Sequence, residues 1–273
     1  MEGDGIISTI VTTGLAKNEA ASARATEIAT ELGAPFVPRD GTGILRLLRR
    51  HEADVALIVQ AGRLLLSDGT VEYSYHPNML LVRGLNILRN WRDLFFDAAE
   101  MSEGESVLDC TLGFGCEASL AALAVGETGR VVGLESNPAL AVVTREGLRE
   151  FHLDTKPLAA AMRRVAVVHA DYQTYLPGLA PGAFDLIAFD PFFDERLEGS
   201  EHTVGPLARF GDQRPLDPAS VLLARQIATR RVVVKHPSHV ELPAELVAVR
   251  TKEMSARKGQ TAYSVFDVPS REP

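Results

Sequence analysis

"VLDCTLGFGCE", residues 107–117, is an apolar run that breaks at an aspartate into a loop with two glycines and then enters a helix-like stretch. Gly113 and Gly115 permit a tight turn and a close approach of the backbone to a neighbour. Cys116-Glu117 then opens "CEASLAALAVG", closed by Gly126. Strand, glycine turn and helix in that order predict the start of a doubly wound α/β sheet. Ligands of such sheets bind beyond the carboxyl ends of the strands.

The same alternation extends outward in both directions. "GRVVGLE", "RVAVVHAD", "FDLIAFD" and "RRVVVK" read as further strands. "NPALAVVTREGLREF" and "DPASVLLARQIA" read as helices, with Asn137 as N-cap and Pro138 at the first position of the former. The tail, "ELVAVRTKEM" and "TAYSVFDV", predicts two more strands paired as a hairpin. The expected fold is therefore α/β: a Rossmann-like, doubly wound, mainly parallel sheet with a C-terminal antiparallel hairpin. Upstream, "GIISTIV", a helix over 18–33 stopped by Gly33, a helix "ILRLLRRH", a strand "DVALIVQ" and a hairpin turned at Asp68-Gly69 predict a smaller α/β unit. The expected division is a small unit over 1–80, a helical connection over 81–103 and the main domain over 104–273.

Composition excludes several classes. With 273 residues and 46% hydrophobic residues the chain can bury a real core. It offers no apolar run of membrane-spanning length and no signal-peptide pattern at the start. Cys110 and Cys116, the two cysteines, suggest neither a disulfide framework nor a zinc cluster, so a reducing, cytoplasmic setting and no metal are expected. Net charge is −8, so a polyanion would need a local basic patch. Arg46, Arg49 and Arg50, on one face of the second helix, are the candidate, although such faces are more often simply solvated. Oligomeric state is not legible.

The strand ends carry the chemistry. The predicted strands end in Asp109, Glu135, Asp171 and Asp190, which gathers four carboxylates on one rim. Like charges so placed repel, and a cationic, hydroxyl-rich ligand would relieve them. Glu135 stands twenty residues after Gly115, where a carboxylate commonly grips ribose hydroxyls. A dinucleotide would want the full phosphate-binding glycine pattern at a helix N-terminus. This loop instead places an acid, Glu117, where phosphate would sit, and so favours S-adenosylmethionine, which carries a sulfonium and no phosphate.

In order along the chain, "VLDCTLGFGCE", "GLESNP", "HADY", "DPFF" and "RRVVVKHP" resemble the class I S-adenosylmethionine-dependent methyltransferases. More narrowly they are similar to the RsmJ-type family, which methylates the exocyclic amino group of a guanine in small-subunit ribosomal RNA. Asp109, Thr111, Gly113 and Gly115 match that family's Asp-x-Thr-x-Gly-x-Gly loop; Glu135, Asp190, Lys235 and Pro237 match its later motifs. After Asp190-Pro191 this chain reads Phe192-Phe193-Asp194, where the RNA enzymes carry Met, an aromatic and Pro. "VTTGLAK" and "YHPNMLLVRG" also differ, and resemble an uncharacterised bacterial branch of the group.

The resemblance implies a donor site of Asp109, Thr111, Gly113, Gly115, Cys116, Glu117, Glu135, Ser136, Asp171 and Asp190. It implies a transfer site of Asp190, Pro191, Phe193 and Lys235, with Phe193 stacking on an unpaired base and RNA as partner. Phe192 is expected as a core plug, and residues 194–214 as a lid. Transfer to a small molecule or protein, or nucleoside binding without turnover, are the competing expectations.

The donor assignment predicts that Glu135→Ala loses charge-assisted hydrogen bonds worth about 1.5–3 kcal/mol of S-adenosylhomocysteine affinity in calorimetry. Unchanged affinity would remove Glu135 from the site.

Overall fold

The computed structural model of the chain describes residues 8–15, 18–192, 209–256 and 259–268. Two sheets organise them. The N-terminal sheet has the order β1-β2-β3-β4, built from β1 (Thr9–Thr13), β2 (Val55–Gln60), β3 (Arg63–Ser67) and β4 (Glu72–Ser74). β1 and β2 run parallel, and the hairpin that follows is antiparallel. The main sheet has the order β10-β11-β9-β8-β5-β6-β7. Its strands are β5 (Ser106–Asp109), β6 (Arg130–Glu135), β7 (Val165–His169), β8 (Leu186–Phe189), β9 (Arg231–Pro237), β10 (Lys252–Ser255) and β11 (Thr261–Asp267). β5 to β9 are mutually parallel, and β11 and β10 close the edge as an antiparallel pair. This is the doubly wound sheet with a C-terminal hairpin that the sequence predicts.

Strand order reverses between β5 and β8. The chain builds outward from β5 through β6 to β7, then returns to the other side of β5. Such a switch point leaves a crevice at the carboxyl ends. Register decides what borders it: Asp109 lies opposite Ala188, two residues before Asp190, and opposite Gly133, two residues before Glu135.

Local chemistry explains the helix boundaries. Helix α1 (Glu19–Leu32) starts where the Asn18 side chain accepts from Ala21 N, and ends at Gly33 in the left-handed region. Helix α2 is Ile44–His51. The expected helical connection consists of two helices, α3 (Met79–Leu88) and α4 (Leu94–Ala99). The break comes where Asp93 turns its carboxylate onto Phe95 N and Phe96 N as an N-cap. Helix α5 is Cys116–Val125, and α6 is Pro138–Glu150, capped by Asn137.

Helix α7 (Lys156–Arg164) has no counterpart in the sequence reading and takes Arg164 from the expected strand. The short α8 (Tyr172–Tyr175) follows Asp171, and α9 (Pro218–Ile227) is capped by Asp217. "ELVAV" departs from expectation: Ala244–Val247 forms a helical turn, α10, and pairing begins only at Lys252. The first strand likewise sits at Thr9–Thr13 rather than 5–11, and residues 5–7 lie outside the described residues.

The two sheets are joined through a common core. On one face of the N-terminal sheet Val55, Leu57 and Val59 meet Ala25 and Ile28 of α1, and also Ala139, Leu140 and Val143 of α6. Ala56 and Ile58, alternating to the other face, pack on Leu47 and Leu48 of α2. Tyr75 lies against α6 at Gly147, where an added Cβ would come within 1.9 Å of the ring. The Tyr75 ring is itself backed by Phe151, at a centroid distance of 5.9 Å.

Gly147→Ala is therefore expected to destabilise the protein, although alanine in an exposed helix gains about 0.5–1 kcal/mol over glycine. Overpacking should cost about 1–3 kcal/mol in urea unfolding. In a Tyr75→Ala background the same change should be neutral or stabilising. A stabilising Gly147→Ala in the wild-type background would show that the ring moves freely.

Candidate active site

At the switch point the glycine loop is tied to the strand ends on both sides. Asp109, the buried last residue of β5, accepts from Thr111 N at 3.0 Å. Burial pushes its carboxyl up to about 8, with Glu117 and Asp190 adding to the shift. Thr111 Oγ1 accepts from Asp190 N at 2.6 Å, which fastens the loop to the end of β8. Gly113 and Gly115 both have positive φ, +50° and +71°. Gly115 N donates to Leu112 O at 2.7 Å, closing the turn.

Glu135, at the end of β6, reaches across this loop. One oxygen accepts from Gly113 N at 3.2 Å, the other from Asn137 N at 2.9 Å. Burial raises its carboxyl to about 7, and the nearby Asp212 adds to the rise. Close approach of loop and strand needs Gly133, where a Cβ would stand 2.3 Å from Leu112 Cδ1.

A second group of charges lies behind the loop. Glu117, in the first turn of α5, is buried, and its Oε1 is shared by three donors. Arg83 Nη1 stands at 2.6 Å, Lys235 Nζ at 3.1 Å and Tyr263 OH at 3.1 Å. Burial alone would raise the Glu117 carboxyl, but Lys235 and Arg83 hold it well below the usual carboxylate range. Lys235 also meets Asp190 Oδ2 at 2.7 Å. Arg83 grips Asp93 through both Nε and Nη2, at 2.8 and 3.0 Å. Burial raises Asp190 to about 6, opposed by Lys235 and reinforced by Glu117. Burial would lower the Lys235 ammonium, yet Asp190 and Glu117 drive it well above its ordinary value.

The loop, the strand ends and helix α3 enclose a cavity of about 680 Å³. Of the residues expected at a donor site, Thr111, Gly113, Cys116, Glu117, Glu135, Ser136 and Asp190 line it. Gly115 does not: it is buried beneath the loop, where a Cβ would meet Leu148 Cδ1 at 3.1 Å, so its place is in the packing of the turn. Asp109 stands behind Thr111, and Asp171 flanks the cavity with Oδ2 held by Arg214 at 2.6 Å.

On the transfer side, Asp190, Pro191 and Lys235 line the cavity. Lys235 is ion-paired there with both Asp190 and Glu117. Phe193 lies outside the described residues, as does most of the expected lid over 194–214. Phe192, expected as a core plug, is only partly buried: it packs against the shared core with Phe114 and also lines the cavity. Arg46 and Arg49 border a separate groove of about 780 Å³ with Arg39, away from the residues of this cavity.

Sequence reading missed Arg83, Asp93, Asp212, Arg214 and Tyr263, all of which line the cavity. Arg83 had a signal, as the one charge within the otherwise apolar "MLLVRGLNIL". The others come from segments distant in sequence and carry none. Among the described residues there is no cluster able to hold a metal ion, and no helix is long and apolar enough to cross a membrane.

The donor set suits a cationic nucleoside and not a pyrophosphate. Carboxylates slightly outnumber cations in the lining, and the cations are already paired: Arg83 and Lys235 with Asp93, Glu117 and Asp190, Arg92 with Asp97, and Arg214 with Asp171 and Asp212. Gly113, Glu135 and Ser136 could hold ribose hydroxyls, in a cavity of the size usual for nucleoside-sized ligands.

Comparison with known proteins agrees. The sequence model of the family described as "Putative SAM-dependent methyltransferase" matches residues 47–267. Uncharacterized protein YpiP of Bacillus subtilis (strain 168) is 32% identical over 226 residues, 83% of this chain and 88% of that protein. Ribosomal RNA small subunit methyltransferase J of Klebsiella pneumoniae (strain 342) is 32% identical over 159 residues, 54% of this chain and 59% of that one. The chain thus matches less than two thirds of the latter's length. A SAM-dependent methyltransferase from Neisseria gonorrhoeae shares the fold, with a TM-score of 0.61 at 19% identity over 96% of this chain and 97% of that one.

The buried network predicts that Arg83→Met costs about 3–5 kcal/mol of stability at neutral pH, because it leaves Glu117 and Asp93 short of a cation. Combining it with Glu117→Gln should cost less than the sum of the two single changes in urea unfolding. Additive losses would show that Arg83 and Glu117 do not depend on each other.

Proposed function

The chain belongs to this family of S-adenosylmethionine-dependent methyltransferases, and from that premise we propose that it methylates an exocyclic amino group of a nucleic-acid base, guanine in ribosomal RNA first. The observation that carries the acceptor class is the Asp190-Pro191 step on the cavity wall, with Asp190 held from two sides. Its backbone N–H is fixed by Thr111, and its Oδ2 by Lys235.

S-adenosylmethionine, when bound, supplies an electrophilic methyl group on a sulfonium. The residues of the chain have to bind and aim. Glu135 accepts from the ribose hydroxyls, with Gly113 and Ser136 beside it. Asp109 fixes the loop by accepting from Thr111 N, Asp171 adds negative charge beside the cavity, and Cys116 gives a neutral wall, since burial pushes its thiol up. Gly115 and Glu117 act at one remove, by shaping the loop and anchoring Lys235.

Lys235 takes Asp190 Oδ2 and leaves Oδ1 to accept a hydrogen bond from the base amine. With the backbone carbonyl of Asp190 or Pro191 as a second acceptor, the nitrogen lone pair is turned toward the methyl group. The nitrogen then gives up its proton to Asp190 or to water. Lys235 is a positioning residue in this reading. Phe193, from the sequence pattern, stacks on the base. Little acid–base power is needed, because positioning and exclusion of water do most of the work.

Two things support RNA as acceptor. The related methyltransferase J acts, by its name, on small-subunit ribosomal RNA and aligns at 32% identity. In addition, the side chains of Arg46, Arg49 and Arg50 are exposed and have no partner among the described residues, so they can meet phosphates. The division at 1–80, 81–103 and 104–273 then assigns RNA docking to the N-terminal unit and transfer to the main domain.

The direct experiment compares N-methylated guanosine in ribosomal RNA from cells with and without the protein, then restores it with wild type or Asp190→Ala. The modified nucleoside should vanish without the protein and return only with wild type. No change in any RNA nucleoside, together with no transfer to ribosomal RNA in vitro, would overturn the acceptor. The pH profile supplies a second check. Asp190 titrates near 6 in the folded protein, so below that pH it gains a proton and loses acceptor strength. With saturating donor, whose cation lowers the Asp190 carboxyl further, kcat should be level above about pH 6 and fall, approaching about tenfold per pH unit, only at lower pH.

A further inference from the structure

Five of the seven exposed large apolar side chains of the described residues fall within thirteen positions: Met79, Val82, Leu85, Leu88 and Trp91. Four of them lie at intervals of three along α3, and Trp91 follows in the turn beyond it. Met79 lines the cavity, so the ridge starts at the mouth of the site. A concentration of this kind marks a surface that something covers.

The turn at its far end is built to present Trp91. Asn90 has φ of +60°, its N–H bonds to Ile87 O at 2.9 Å, and Trp91 N bonds to Asn86 O at 2.9 Å. The backbone is therefore pinned while the indole remains 63% exposed. Arg89 and Arg92 flank it. The Arg89 side chain is exposed and has no partner among the described residues. Arg92 is held by Asp97 at 2.7 Å with its side chain 82% exposed, and it also borders the cavity.

We propose that this turn is a stacking platform for an unpaired base of a single-stranded nucleic acid, next to the base that enters the cavity. The inference rests on the reading of a nucleic-acid acceptor. An indole face stacks on any base, and the guanidinium of Arg89 is placed to meet the adjoining phosphate. In a chain of net charge −8 a polyanion is repelled except where local cations offset that field. A tryptophan between two arginines, of which Arg92 borders the cavity, is such a place. A protein partner would use the ridge, but nothing in its chemistry calls for the flanking arginines.

The test exploits composition: Trp91 is the single tryptophan of the chain. A single-stranded oligoribonucleotide of mixed sequence should quench its fluorescence, and the same strand annealed to its complement should quench it far less. In anisotropy titrations of the labelled strand, Trp91→Ala should weaken binding on the order of tenfold to a hundredfold. Trp91→Phe should keep most of the affinity. Both variants should melt as wild type does and bind S-adenosylhomocysteine equally well. Equal affinity of wild type and Trp91→Ala for the strand overturns the proposal. So does a sedimentation result in which Trp91→Ala abolishes a dimer without changing RNA affinity, which would make the ridge an interface between copies. If wild type methylates RNA and Trp91→Ala shows the same KM for it, the platform alone falls. If wild type with intact donor binding neither binds nor methylates RNA, the acceptor reading falls with it.

Discussion

A single buried carboxylate oxygen holds the site in register with the rest of the chain. Oε1 of Glu117 takes Arg83 from α3, Lys235 from β9 and Tyr263 from β11. Each charge there would cost several kcal/mol to bury alone. The group is tolerable only when complete, so the helical connection, the central sheet and the C-terminal hairpin must all be in place at once. Arg83 passes the constraint on to Asp93, which caps α4, and Lys235 passes it to Asp190. The position of Asp190 on the cavity wall is thereby tied to a helix that precedes the main sheet in sequence.

The same network shapes the electrostatics of the cavity. It commits the nearby cations to Asp93, Glu117 and Asp190, so Asp109 and Glu135 have no ion-pair partner of their own among the described residues. Burial raises Asp109 to about 8 and Glu135 to about 7, and raises even Asp190, against the opposing Lys235, to about 6. A ligand that brings positive charge and hydroxyl donors relieves what the fold leaves unpaid, and a phosphate would worsen it. Donor preference thus follows from where the arginine and lysine are committed, as much as from the glycine loop.

The N-terminal unit is bound to the main domain by apolar packing of a different kind. Leu140 and Val143 of α6 lie between the two sheets, and Gly147 clears room for the Tyr75 ring. One helix therefore serves two cores. Its N-terminal end, capped by Asn137, also supplies the N–H that holds Glu135. A disturbance at the junction of the sheets has a short path to the donor side of the cavity.

Local patterns in the sequence determined the doubly wound sheet, its hairpin edge and the carboxylates at the strand ends. These depend on periodicity, on caps such as Asn18 and Asn137, and on glycines whose conformation no other residue adopts cheaply. The sequence could not show that Lys235 is an internal counter-ion, because its partners Glu117 and Asp190 lie 118 and 45 residues away. Nor could it show Arg83 in the site, whose partners Asp93 and Glu117 meet it only in the folded chain. Gly115 reads as a ligand-facing glycine, and only the packing of Leu148 reveals that it faces inward. Periodicity and capping act within a few residues and survive in the sequence. Charge pairing and burial are properties of the folded neighbourhood, and the tertiary structure alone assigns them.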